Sequence, residues 1–401
     1  MIRMQANSAN MDFLVGSMEI LQGMPAIPSL SVFSDLAVNF LEDLSRELIN
    51  DKNARAYSDV ISFAYWIRRA SLEKAKTMMT DGRCRIGRGV ALHIAPSNVP
   101  VNFAVTMTYS LLSGNCTVIR VSSKPFEQIA IICRALNKLL SGAFSSLIPY
   151  VCVVRYEHSD EITAELSAMC DVRVVWGGNR TIAQIRKASL PPRAIELTFS
   201  DRHSIAIINS DEYLKRDPEK TAKDFYTDTY YTDQNACSSP RLVVWTGSCV
   251  SEARERFWSY LDRLVKQDYN LRPIQSVDKL LSLCLLSASG QSARLVSSDN
   301  YVVRVEVDHL SPELMNYKDS GGYFFEYTAK DINEIVPVLT KSCQTITVLG
   351  IPYKDVTDVV VNNGTKGVDR IVPMGMAMGI EYIWDGFDMI SSMSRIVYFP
   401  Q

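Results

Sequence analysis

The residue best suited to covalent chemistry in this sequence is a cysteine in a short polar stretch. Cys237 stands in Asn235-Ala236-Cys237-Ser238-Ser239-Pro240, just before the apolar run Leu242–Trp245. A thiolate is both a good nucleophile and a good leaving group, and it requires partial exposure and a polar field. Because Pro240 cannot donate a ladder hydrogen bond, regular strand pairing is predicted to start after it. The alternative is an inert turn residue, since free cysteines are usually buried.

The composition limits the classes of function. The 9 cysteines contain no Cys-x-x-Cys pair and the 4 histidines are scattered, so the spacing predicts no structural zinc site. An odd, unpatterned cysteine set favours a reducing, cytoplasmic location. The net charge of −2 gives no reason to expect nucleic acid. The longest apolar run, Leu280–Leu286, is far too short to span a membrane.

Apolar runs and helical periodicity predict which elements position Cys237. Amphipathic helices over 31–49 and 58–79 open the chain. Alternating strands and helices follow, which indicate parallel sheets covered on both faces. The predicted strands are Val90–Ala95, Cys116–Val121, Tyr150–Val154, Val172–Trp176, Ser204–Ile208, Leu242–Trp245, Val302–Val307, Tyr323–Tyr327, Thr345–Leu349 and Val368–Val372. The helices between them are predicted over 99–112, 126–140, 159–169, 179–188, 219–230, 251–267, 331–341 and 353–363.

Several stretches, taken in order, resemble a known superfamily. Ala95-Pro96-Ser97-Asn98-Val99-Pro100, the strand segment Gly114–Pro125 and the Cys237 stretch are similar to the aldehyde dehydrogenases. The sequence more closely resembles the LuxC-type acyl-CoA reductases, the fatty-acid reductases associated with bacterial luciferase. That resemblance adds Gly367–Gly375 and Trp384-Asp385-Gly386, and it runs from about residue 85 to the C-terminus.

The resemblance implies an α/β, aldehyde dehydrogenase-like fold with a parallel-sheet cofactor domain, an α/β catalytic domain and N-terminal helices. We expect helices and the nicotinamide-binding domain in 1–205, the catalytic domain with Cys237 in 206–375 and a C-terminal segment in 376–401. For Trp384–Asp388, closure over the active site and packing at an oligomer contact both stay open. Asp369 and Arg370 are predicted to pair with each other, and His203 is predicted to be structural.

The resemblance also implies a reaction, the reduction of an acyl thioester. The Cys237 thiolate attacks the acyl carbonyl and the carrier thiol leaves. Hydride from a nicotinamide then gives a thiohemiacetal, which collapses to the aldehyde. By the family pattern, the Asn98 amide and the backbone N–H of Cys237 stabilise the oxyanion. The alternative for Asn98 is a cap for the helix predicted from Val99.

Glu196 is a further catalytic candidate that the resemblance suggests. It falls where oxidising aldehyde dehydrogenases carry a general base in a Leu-Glu-Leu-Gly-Gly run. Here Thr198-Phe199-Ser200 replaces the glycines, and a reductase does not need to activate water against its acyl-enzyme. A partly buried, hydrogen-bonded Glu196 is the alternative to a base.

The resemblance implies that NADPH is the cofactor. NAD-selective relatives carry a glutamate three residues after the basic residue of the second strand, whereas Ser123 follows Arg120 at that spacing. Arg120 can grip a phosphate with two parallel N–H groups, and Lys124 adds a charge. Arg120 at a solvent-exposed strand end is the alternative. The cofactor-binding candidates are Pro96, Ser97, Arg120, Ser122, Ser123, Gly177 and Gly178.

Two rival functions stay open from the sequence: oxidation of free aldehydes with NAD(P), and a non-catalytic scaffold for an acyl-activating partner. The expected partners are acyl-CoA or another acyl thioester, an acyl-protein synthetase or acyl carrier, and further copies of the chain. Leu280–Leu286 is predicted as a core helix, with the lining of an acyl tunnel as the alternative.

Overall fold

The computed structural model describes residues 11–297 and 299–400. They form two compact units. The first comprises the described residues up to Ser200 together with those from Ile380 on, and the second runs from Asp201 to Gly379. The sequence predicted boundaries after residues 205 and 375. The roles of the units as cofactor and catalytic domains stay predictions.

The strands and helices alternate along most of the chain. The strands are β1 Asp12–Val15, β2 Arg85–Gly87, β3 Val90–Ile94, β4 Cys116–Arg120, β5 Val151–Arg155, β6 Val172–Trp176, β7 Ile195–Phe199, β8 His203–Asn209, β9 Pro240–Thr246, β10 Ala293–Leu295, β11 Val303–Val307, β12 Tyr323–Thr328, β13 Cys343–Leu349, β14 Arg370–Pro373, β15 Ile383–Trp384, β16 Phe387–Asp388 and β17 Ser394–Ile396. The α-helices are α1 Met18–Gly23, α2 Asp35–Asn50, α3 Ser58–Trp66, α4 Arg69–Met79, α5 Asn102–Leu112, α6 Glu127–Leu140, α7 Asp160–Met169, α8 Asn179–Ile185, α9 Ser210–Leu214, α10 Pro218–Asp228, α11 Val250–Asp268, α12 Pro273–Ala288, α13 Tyr353–Asn362 and α14 Met389–Met393. Short 3-10 helices occupy Met24–Ala26, Ala54–Ala56, Ser145–Tyr150, Tyr230–Thr232, Leu314–Tyr317 and Ile332–Val338.

The sheet of the first unit has the strand order β1-β5-β4-β3-β6-β7. All neighbours from β5 to β7 are parallel, and β1 joins the edge antiparallel to β5. β3, β4 and β5 follow one another in one direction, and the chain then returns to place β6 on the other side of β3. The carboxyl ends of β3 and β6 therefore form a topological switch point, where ligands bind in open α/β sheets.

The second unit contains a sheet with the order β10-β11-β12-β9-β8-β13-β14. Its strands are parallel apart from β10, which pairs antiparallel with β11. Alternate residues enter two different cores, because side chains alternate between the faces of a strand. Leu242 and Val244 of β9 pack in one core, and Val243 and Trp245 pack in the other.

The predicted fold class is confirmed, while several element bounds are wrong. The helix predicted over 58–79 is two helices, α3 and α4, because Arg68 between them is extended. The helix predicted from residue 99 begins at Asn102. Pro100 accounts for part of that shift, since the residue before a proline is disfavoured in helical conformation. The helix predicted over 331–341 is the 3-10 helix Ile332–Val338, which contains Pro337.

The C-terminal hairpin β15–β16 packs within the first unit. Trp384 makes an edge contact with Trp176 at 6.2 Å between ring centroids, and Phe387 contacts Phe199 at 5.9 Å. Trp176 and Phe199, the last residues of β6 and β7, stack on each other at 3.8 Å. The hairpin therefore extends an aromatic cluster at the ends of these two strands. None of the helices in the described part of the chain combines the length and apolar character that crossing a membrane requires.

Candidate active site

The loop before Cys237 has an unusual backbone conformation. Asp233 and Gln234 follow the 3-10 helix Tyr230–Thr232, and their φ angles are 53° and 59°. Residues other than glycine rarely adopt this left-handed region, and each costs of order 1–3 kcal/mol where the surroundings enforce it. Two such residues in succession, three positions before a thiol, indicate that the neighbouring structure determines the path of this loop.

The side chain of Gln234 holds this loop in its conformation. Its side chain is fully buried. The amide nitrogen donates to the carbonyls of Pro240 (2.9 Å) and Tyr323 (3.1 Å), and the amide oxygen accepts from the N–H groups of Gly322 (3.0 Å) and Tyr323 (3.1 Å). Both donors and both acceptor positions of the glutamine are used. Gln234 thus connects the cysteine loop to the start of β12.

Cys237 itself is held by its backbone. Its carbonyl accepts a hydrogen bond from the Ser204 hydroxyl (2.8 Å), whose oxygen also accepts from the N–H of Thr345 (3.1 Å). These partners lie at the start of β8 and near the start of β13. The cysteine is partly exposed while its loop is fixed. This combination suits a nucleophile, which has to be both reachable and pre-positioned.

The position of Cys237 in the second sheet departs from the usual rule for ligand sites. The loop enters β9 at its amino end, beside the amino ends of β8 and β12. The prediction that pairing starts after Pro240 is wrong, since Pro240 is already paired with Ser204, with a register shift directly after that pair. A separate cavity of about 260 Å³ lies at the opposite, carboxyl ends of β13 and β14.

Two cations interact electrostatically with Cys237. Arg241 is almost fully buried, and its Nη1 donates to the carbonyl of Asp319. Burial lowers the pKa of Arg241 to about 10, while Cys237 and Asp319 oppose that change. Burial also lowers the pKa of Lys318, with Arg241 contributing, while Asp201 and Cys237 act in the opposite direction. The positive charges of Arg241 and Lys318 favour the thiolate over the neutral thiol.

The other cysteines are in different environments. Burial raises the pKa to about 12 for each of Cys116, Cys133, Cys152, Cys170 and Cys343. Cys84, Cys249 and Cys284 are exposed. Cys284 lies within Leu280–Leu286, the stretch predicted as a core helix, so that prediction is wrong for Cys284. Cys237 differs from both groups because it is partly exposed and interacts electrostatically with the buried Arg241 and the partly exposed Lys318.

The loop that follows β14 contacts Ser238, the residue after Cys237. Asp228 at the end of α10 is buried and accepts from the N–H groups of Gly375 (2.6 Å) and Ala377 (2.9 Å). Burial raises the pKa of Asp228 to about 7, although these two hydrogen bonds act in the opposite direction. The sulfur of Met378 in the same loop lies 3.9 Å from the hydroxyl of Ser238. Asp228 therefore fixes a segment that contacts the cysteine loop.

Two further sequence predictions fall in the second unit. Asp369 pairs with Arg202, whereas Arg370 donates to the carbonyls of Ala377 and Gly379. The pair predicted between Asp369 and Arg370 is thus replaced by these contacts. His203 is buried, and burial lowers its pKa to about 3, in agreement with a structural role.

In the first unit, the structure brings the predicted cofactor residues to one edge. Pro96, Ser97 and Asn98 follow β3, while Gly177 and Gly178 follow β6, so the two loops flank the topological switch point. Ser97 and Asn98 are exposed. The N-cap of α5 is Val101 and no side chain caps this helix, so the alternative role of Asn98 as a helix cap is wrong.

The loop after β4 lies at the same edge, next to β3. The Arg120 guanidinium donates to the carbonyl of Tyr156 (3.3 Å) and lies 5.4 Å from the centre of its ring. Its Nε is buried and has no hydrogen-bond partner among the described residues. Ser122 is buried and its hydroxyl accepts from the N–H of Lys124 (3.2 Å), whereas Ser123 and Lys124 are exposed.

The glycines after β6 are explained in part by packing. A Cβ on Gly177 would lie 3.1 Å from the Thr181 side chain, closer than most real contacts. Gly178 is the N-cap of α8 and is extended. Since α8 spans only 7 residues, its dipole adds little here.

The comparisons with known proteins identify the family. The family described as "Acyl-CoA reductase (LuxC)" matches residues 34–279, more than half of the chain. This chain belongs to the LuxC family. The sequence-based resemblance is thereby confirmed.

Curated LuxC relatives carry the name long-chain acyl-protein thioester reductase. The protein from Aliivibrio fischeri is 24% identical over 319 residues, which cover 78% of this chain and 63% of the relative. The protein from Photobacterium phosphoreum is 25% identical over 309 residues, which cover 72% of this chain and 58% of the relative. The chain thus spans about three fifths of the length of these relatives.

Solved structures show the fold. Aldehyde dehydrogenase 21 from Physcomitrella patens superimposes with a TM-score of 0.67 at 13% identity, covering 94% of this chain and 87% of that structure. An E. coli NADP-dependent enzyme gives a TM-score of 0.63 at 14% identity, covering 95% and 88%. A NAD-dependent benzaldehyde dehydrogenase from Corynebacterium glutamicum gives 0.62 at 13% identity, covering 94% and 86%. The LuxC chain therefore has the aldehyde dehydrogenase fold.

Glu196 is strongly held in this LuxC chain. Its Oε2 accepts from Arg173 Nε (2.9 Å) and Nη2 (2.5 Å), and its Oε1 accepts from Arg186 Nε (2.6 Å). Arg173 is buried and also donates to the carbonyl of Ala188 (2.8 Å). Guanidinium donors thus occupy both oxygens of the Glu196 carboxylate, which favours the structural alternative for Glu196.

Several residues of the candidate site had no role predicted from the sequence. Gln234 stood inside the motif without a role, and no sequence signal distinguishes its left-handed backbone from that of an ordinary turn. Arg241 and Lys318 are separated by 77 positions in the chain, and only the pairing of β9 with β12 brings them to one edge. The side chain of Asp228 looked like one more polar residue of an amphipathic helix.

Proposed function

We propose that this LuxC-family chain reduces an acyl thioester to an aldehyde with NADPH, through an acyl group carried on Cys237. The observation that carries the proposal is the setting of Cys237. It is a partly exposed thiol on a loop that Gln234 fixes, and Arg241 and Lys318 interact electrostatically with it. The family match and the relatives named thioester reductases support the same reaction class.

The first step transfers the acyl group to the enzyme. The Cys237 thiolate attacks the carbonyl carbon, a new C–S bond forms, and the bond to the carrier sulfur breaks. The carrier leaves as a thiolate, which takes up a proton. Arg241 and Lys318 favour the attacking form of Cys237, and the resemblance assigns the Asn98 amide and the Cys237 N–H to the oxyanion.

The residues at the carboxyl edge of the first sheet fit a phosphorylated nicotinamide. Arg120 retains a buried Nε donor without a partner among the described residues, and Ser123 and Lys124 are exposed beside it. These three would hold the 2′-phosphate, while Pro96, Ser97, Gly177 and Gly178 would line the rest of the site. When bound, the reduced cofactor supplies the hydride for the acyl carbon. The Cys237 sulfur then leaves as a thiolate and the aldehyde is released.

Glu196 has no catalytic role in this proposal. Reduction of an acyl-enzyme does not use an activated water, and the two arginines already neutralise the carboxylate. The same contacts weaken the case for aldehyde oxidation, which needs a base.

The acyl carrier is the part of the proposal that experiment has to decide. The family description names acyl-CoA and the relatives are named for acyl-protein thioesters. Both carriers present the same thioester carbonyl, so both are candidate donors. An acyl-protein synthetase or carrier protein as the delivering partner is part of the same proposal.

Intact-mass analysis after mixing with acyl-CoAs of several lengths, and separately with an S-acylated carrier protein, tests the function. We expect one acyl mass on the wild type and none on Cys237→Ala. Cys284→Ala is the matched control, because it removes an exposed thiol elsewhere in the same unit. Acylation of Cys237→Ala at the wild-type rate would contradict the proposal. No acyl mass from any donor would favour the scaffold alternative.

A further inference from the structure

The segment Met374–Gly379, which follows β14, is held by two buried charged side chains. Asp228 Oδ2 accepts from the N–H of Gly375 (2.6 Å), and Asp228 Oδ1 accepts from the N–H of Ala377 (2.9 Å). Arg370 donates to the carbonyls of Ala377 (3.1 Å) and of the last residue of the segment (3.3 Å). The segment itself contains no charged side chain. The conformation of this 374–379 segment therefore depends on one carboxylate and one guanidinium, which both bond to Ala377.

The cysteine loop, residues 229–239, adjoins the 374–379 segment near both of its ends. Asp228, which bonds to the segment, is the last residue of α10 and immediately precedes the loop. Near the other end, the sulfur of Met378 lies 3.9 Å from the hydroxyl of Ser238, the residue after Cys237. These two contacts place the segment where it can fix the position of Cys237.

The 374–379 segment approaches α10 so closely that a side chain would not fit between them. Gly375 has a φ of 89°, in the region that favours glycine. A Cβ at this position would lie 2.9 Å from the Cβ of Asp224, which is one turn before Asp228 on α10. The glycine therefore allows the backbone N–H groups of the segment to reach the Asp228 carboxylate.

The surroundings of Asp228 disfavour its charged form. Burial raises the pKa of Asp228 to about 7, its two backbone donors oppose that rise, Asp224 adds to it and Arg370 opposes it. Helix α11, which packs on α10, faces that helix with the aromatic side chains of Phe257 and Trp258. The charged groups that act on Asp228 are thus one carboxylate on its own helix and one guanidinium on β14.

This raised pKa has a consequence for folding stability. The folded protein binds the Asp228 proton more tightly than the unfolded chain does. The resulting stabilisation is fully present below about pH 4, the ordinary carboxyl value, and is lost as the pH rises through about 7. Ionised Asp228 therefore costs folding free energy in the pH range where it accepts both hydrogen bonds. A carboxylate kept at such a cost, next to the loop that carries the candidate nucleophile, indicates a role in the site.

We propose that Asp228 is a positioning residue for Cys237, and that its ionised form is the one that holds the 374–379 segment against the cysteine loop. A carboxylate accepts on both oxygens, whereas a protonated carboxyl turns one oxygen into a donor. Each Asp228 oxygen accepts from a different N–H, so protonation breaks one of the two bonds. The contact between Met378 and Ser238 is then no longer held in place. This role rests on the proposed function, in which Cys237 is the nucleophile.

Amide hydrogen exchange tests the link between Asp228 and the 374–379 segment. We expect the peptide that contains Gly375 and Ala377 to gain about tenfold in protection between pH 6 and pH 8 in the wild type, after correction for the intrinsic exchange rate, because a hydrogen bond to a charged acceptor is gained. Asp228→Asn should show no such gain. Asp224→Asn should show it at a lower pH, because loss of the neighbouring negative charge lowers the pKa of Asp228.

Iodoacetamide alkylation of Cys237, followed by peptide-level mass spectrometry, tests the link to the nucleophile. At pH 8.5 we expect Asp228→Asn to react at least about tenfold more slowly than wild type, because a loop that is no longer fixed weakens the interaction of Cys237 with Arg241. At pH 5.5 the two rates should nearly coincide, since Asp228 is protonated in the wild type. Comparing the two proteins at each pH separates this effect from the ionisation of the thiol. Asp224→Asn is the matched control and should react like wild type at pH 8.5.

Met378→Ala removes the contact with Ser238 and leaves Asp228 intact. It should slow alkylation at pH 8.5 and keep the pH-dependent protection. Melting curves check that every variant is folded, and if Asp228→Asn is not, the wild-type protection and Met378→Ala decide the outcome. Wild-type protection that does not change with pH, Asp228→Asn alkylated as fast as wild type at pH 8.5, or Met378→Ala alkylated as fast as wild type each overturns the proposal.

These measurements use neither an acyl donor nor a nicotinamide, so they are independent of the proposed reaction. A wild type that shows the expected protection and alkylation but accepts no acyl group would contradict the proposed function, while the role of Asp228 in holding the thiol would stand. A wild type that is acylated on Cys237 but shows no pH-dependent protection would contradict the role of Asp228 alone.

Discussion

The candidate cofactor residues and the candidate nucleophile lie at opposite edges of their own sheets. In the first unit, the loops after β3, β4 and β6 emerge at the carboxyl ends, as ligand sites in parallel sheets usually do. In the second unit, Cys237 precedes β9 and lies at the amino ends. The difference shows that the first site follows from topology, whereas the second depends on a loop that must be fixed residue by residue.

The two edges are also built with different chemistry. At the edge of the first unit, Ser97, Asn98 and Ser123 are exposed in the loops that follow β3 and β4. At the edge of the second unit, buried side chains hold the candidate nucleophile in place. Gln234 closes the loop and Arg241 adds a buried charge. We therefore expect substitutions of the buried side chains at the second edge to change folding stability and reactivity together, and substitutions of the exposed side chains at the first edge to leave folding stability nearly unchanged.

The largest effect is expected from loss of the nucleophile. Cys237→Ala should abolish both acylation and aldehyde formation, because no other thiol shares its partly exposed, cationic setting. Its thermal stability should stay close to that of wild type, since the loop is held by Gln234 and by the backbone of residue 237. Aldehyde formation is followed by NADPH consumption with an acyl-CoA. Turnover of Cys237→Ala within about tenfold of wild type would show that another group acts as the nucleophile.

Asn98→Ala tests the contribution of the first unit to the chemistry. Loss of one oxyanion donor typically lowers turnover by about 10²- to 10³-fold, and we expect a reduction in that range. Asn98 is exposed and does not cap α5, so the melting temperature should hardly change. Nicotinamide binding, measured by fluorescence titration, serves as the control. Turnover within about threefold of wild type would remove Asn98 from the catalytic proposal.

Gln234→Ala tests whether the loop at the second edge has to be fixed. The substitution leaves buried N–H and carbonyl groups of Pro240, Gly322 and Tyr323 without partners, at about 1–3 kcal/mol each. We expect a loss of at least about 3 kcal/mol in the free energy of unfolding, with acylation more than tenfold slower. Asn235→Ala is the matched control, since Asn235 is the exposed neighbour in the same loop. Equal effects of the two substitutions would contradict the role of Gln234.

How far the sequence predicts each region depends on the range of the contacts involved. The strands from Val90 to Trp176 were predicted within a few residues, because continuous apolar runs determine buried parallel strands locally. The left-handed Gln234 could not be predicted, because its partners Gly322 and Tyr323 lie about ninety residues away. Leu281 of α12, which is more than half exposed, was mistaken for core for the same reason, since the buried side of this helix is anchored to Gly321 and Tyr269 by tertiary contacts.

The preference for NADPH over NADH tests the proposed role of Arg120 and Ser123 in binding the 2′-phosphate. Ser123→Glu should weaken NADPH binding by about tenfold or more, because a carboxylate repels the 2′-phosphate, and NADH binding should change little. Ser123→Gln is the uncharged control of similar size. Arg120→Met is expected to weaken NADPH binding more than NADH binding. Direct titration measures all four proteins, and equal affinity of the wild type for the two nicotinamides would contradict this assignment.

The smallest effect is expected from the charge of Lys318. One positive charge near a thiol favours the thiolate by an amount that the surrounding dielectric and the separation set, and opposite unit charges about 4 Å apart attract each other by about 1 kcal/mol in bulk water. Lys318→Met should therefore slow iodoacetamide alkylation of Cys237 at pH 7 by about three- to tenfold. Peptide-level mass spectrometry separates Cys237 from the exposed Cys284, whose rate should not change. Lys366→Met removes an exposed charge elsewhere in the same unit and is the control.

Because Arg241 stays in place and is nearly buried, added salt should reduce the alkylation rate of Cys237 in Lys318→Met only slightly. An unchanged alkylation rate in Lys318→Met would show that Arg241 alone favours the Cys237 thiolate. An equally slow alkylation in Lys366→Met would show that only the net charge of the protein matters.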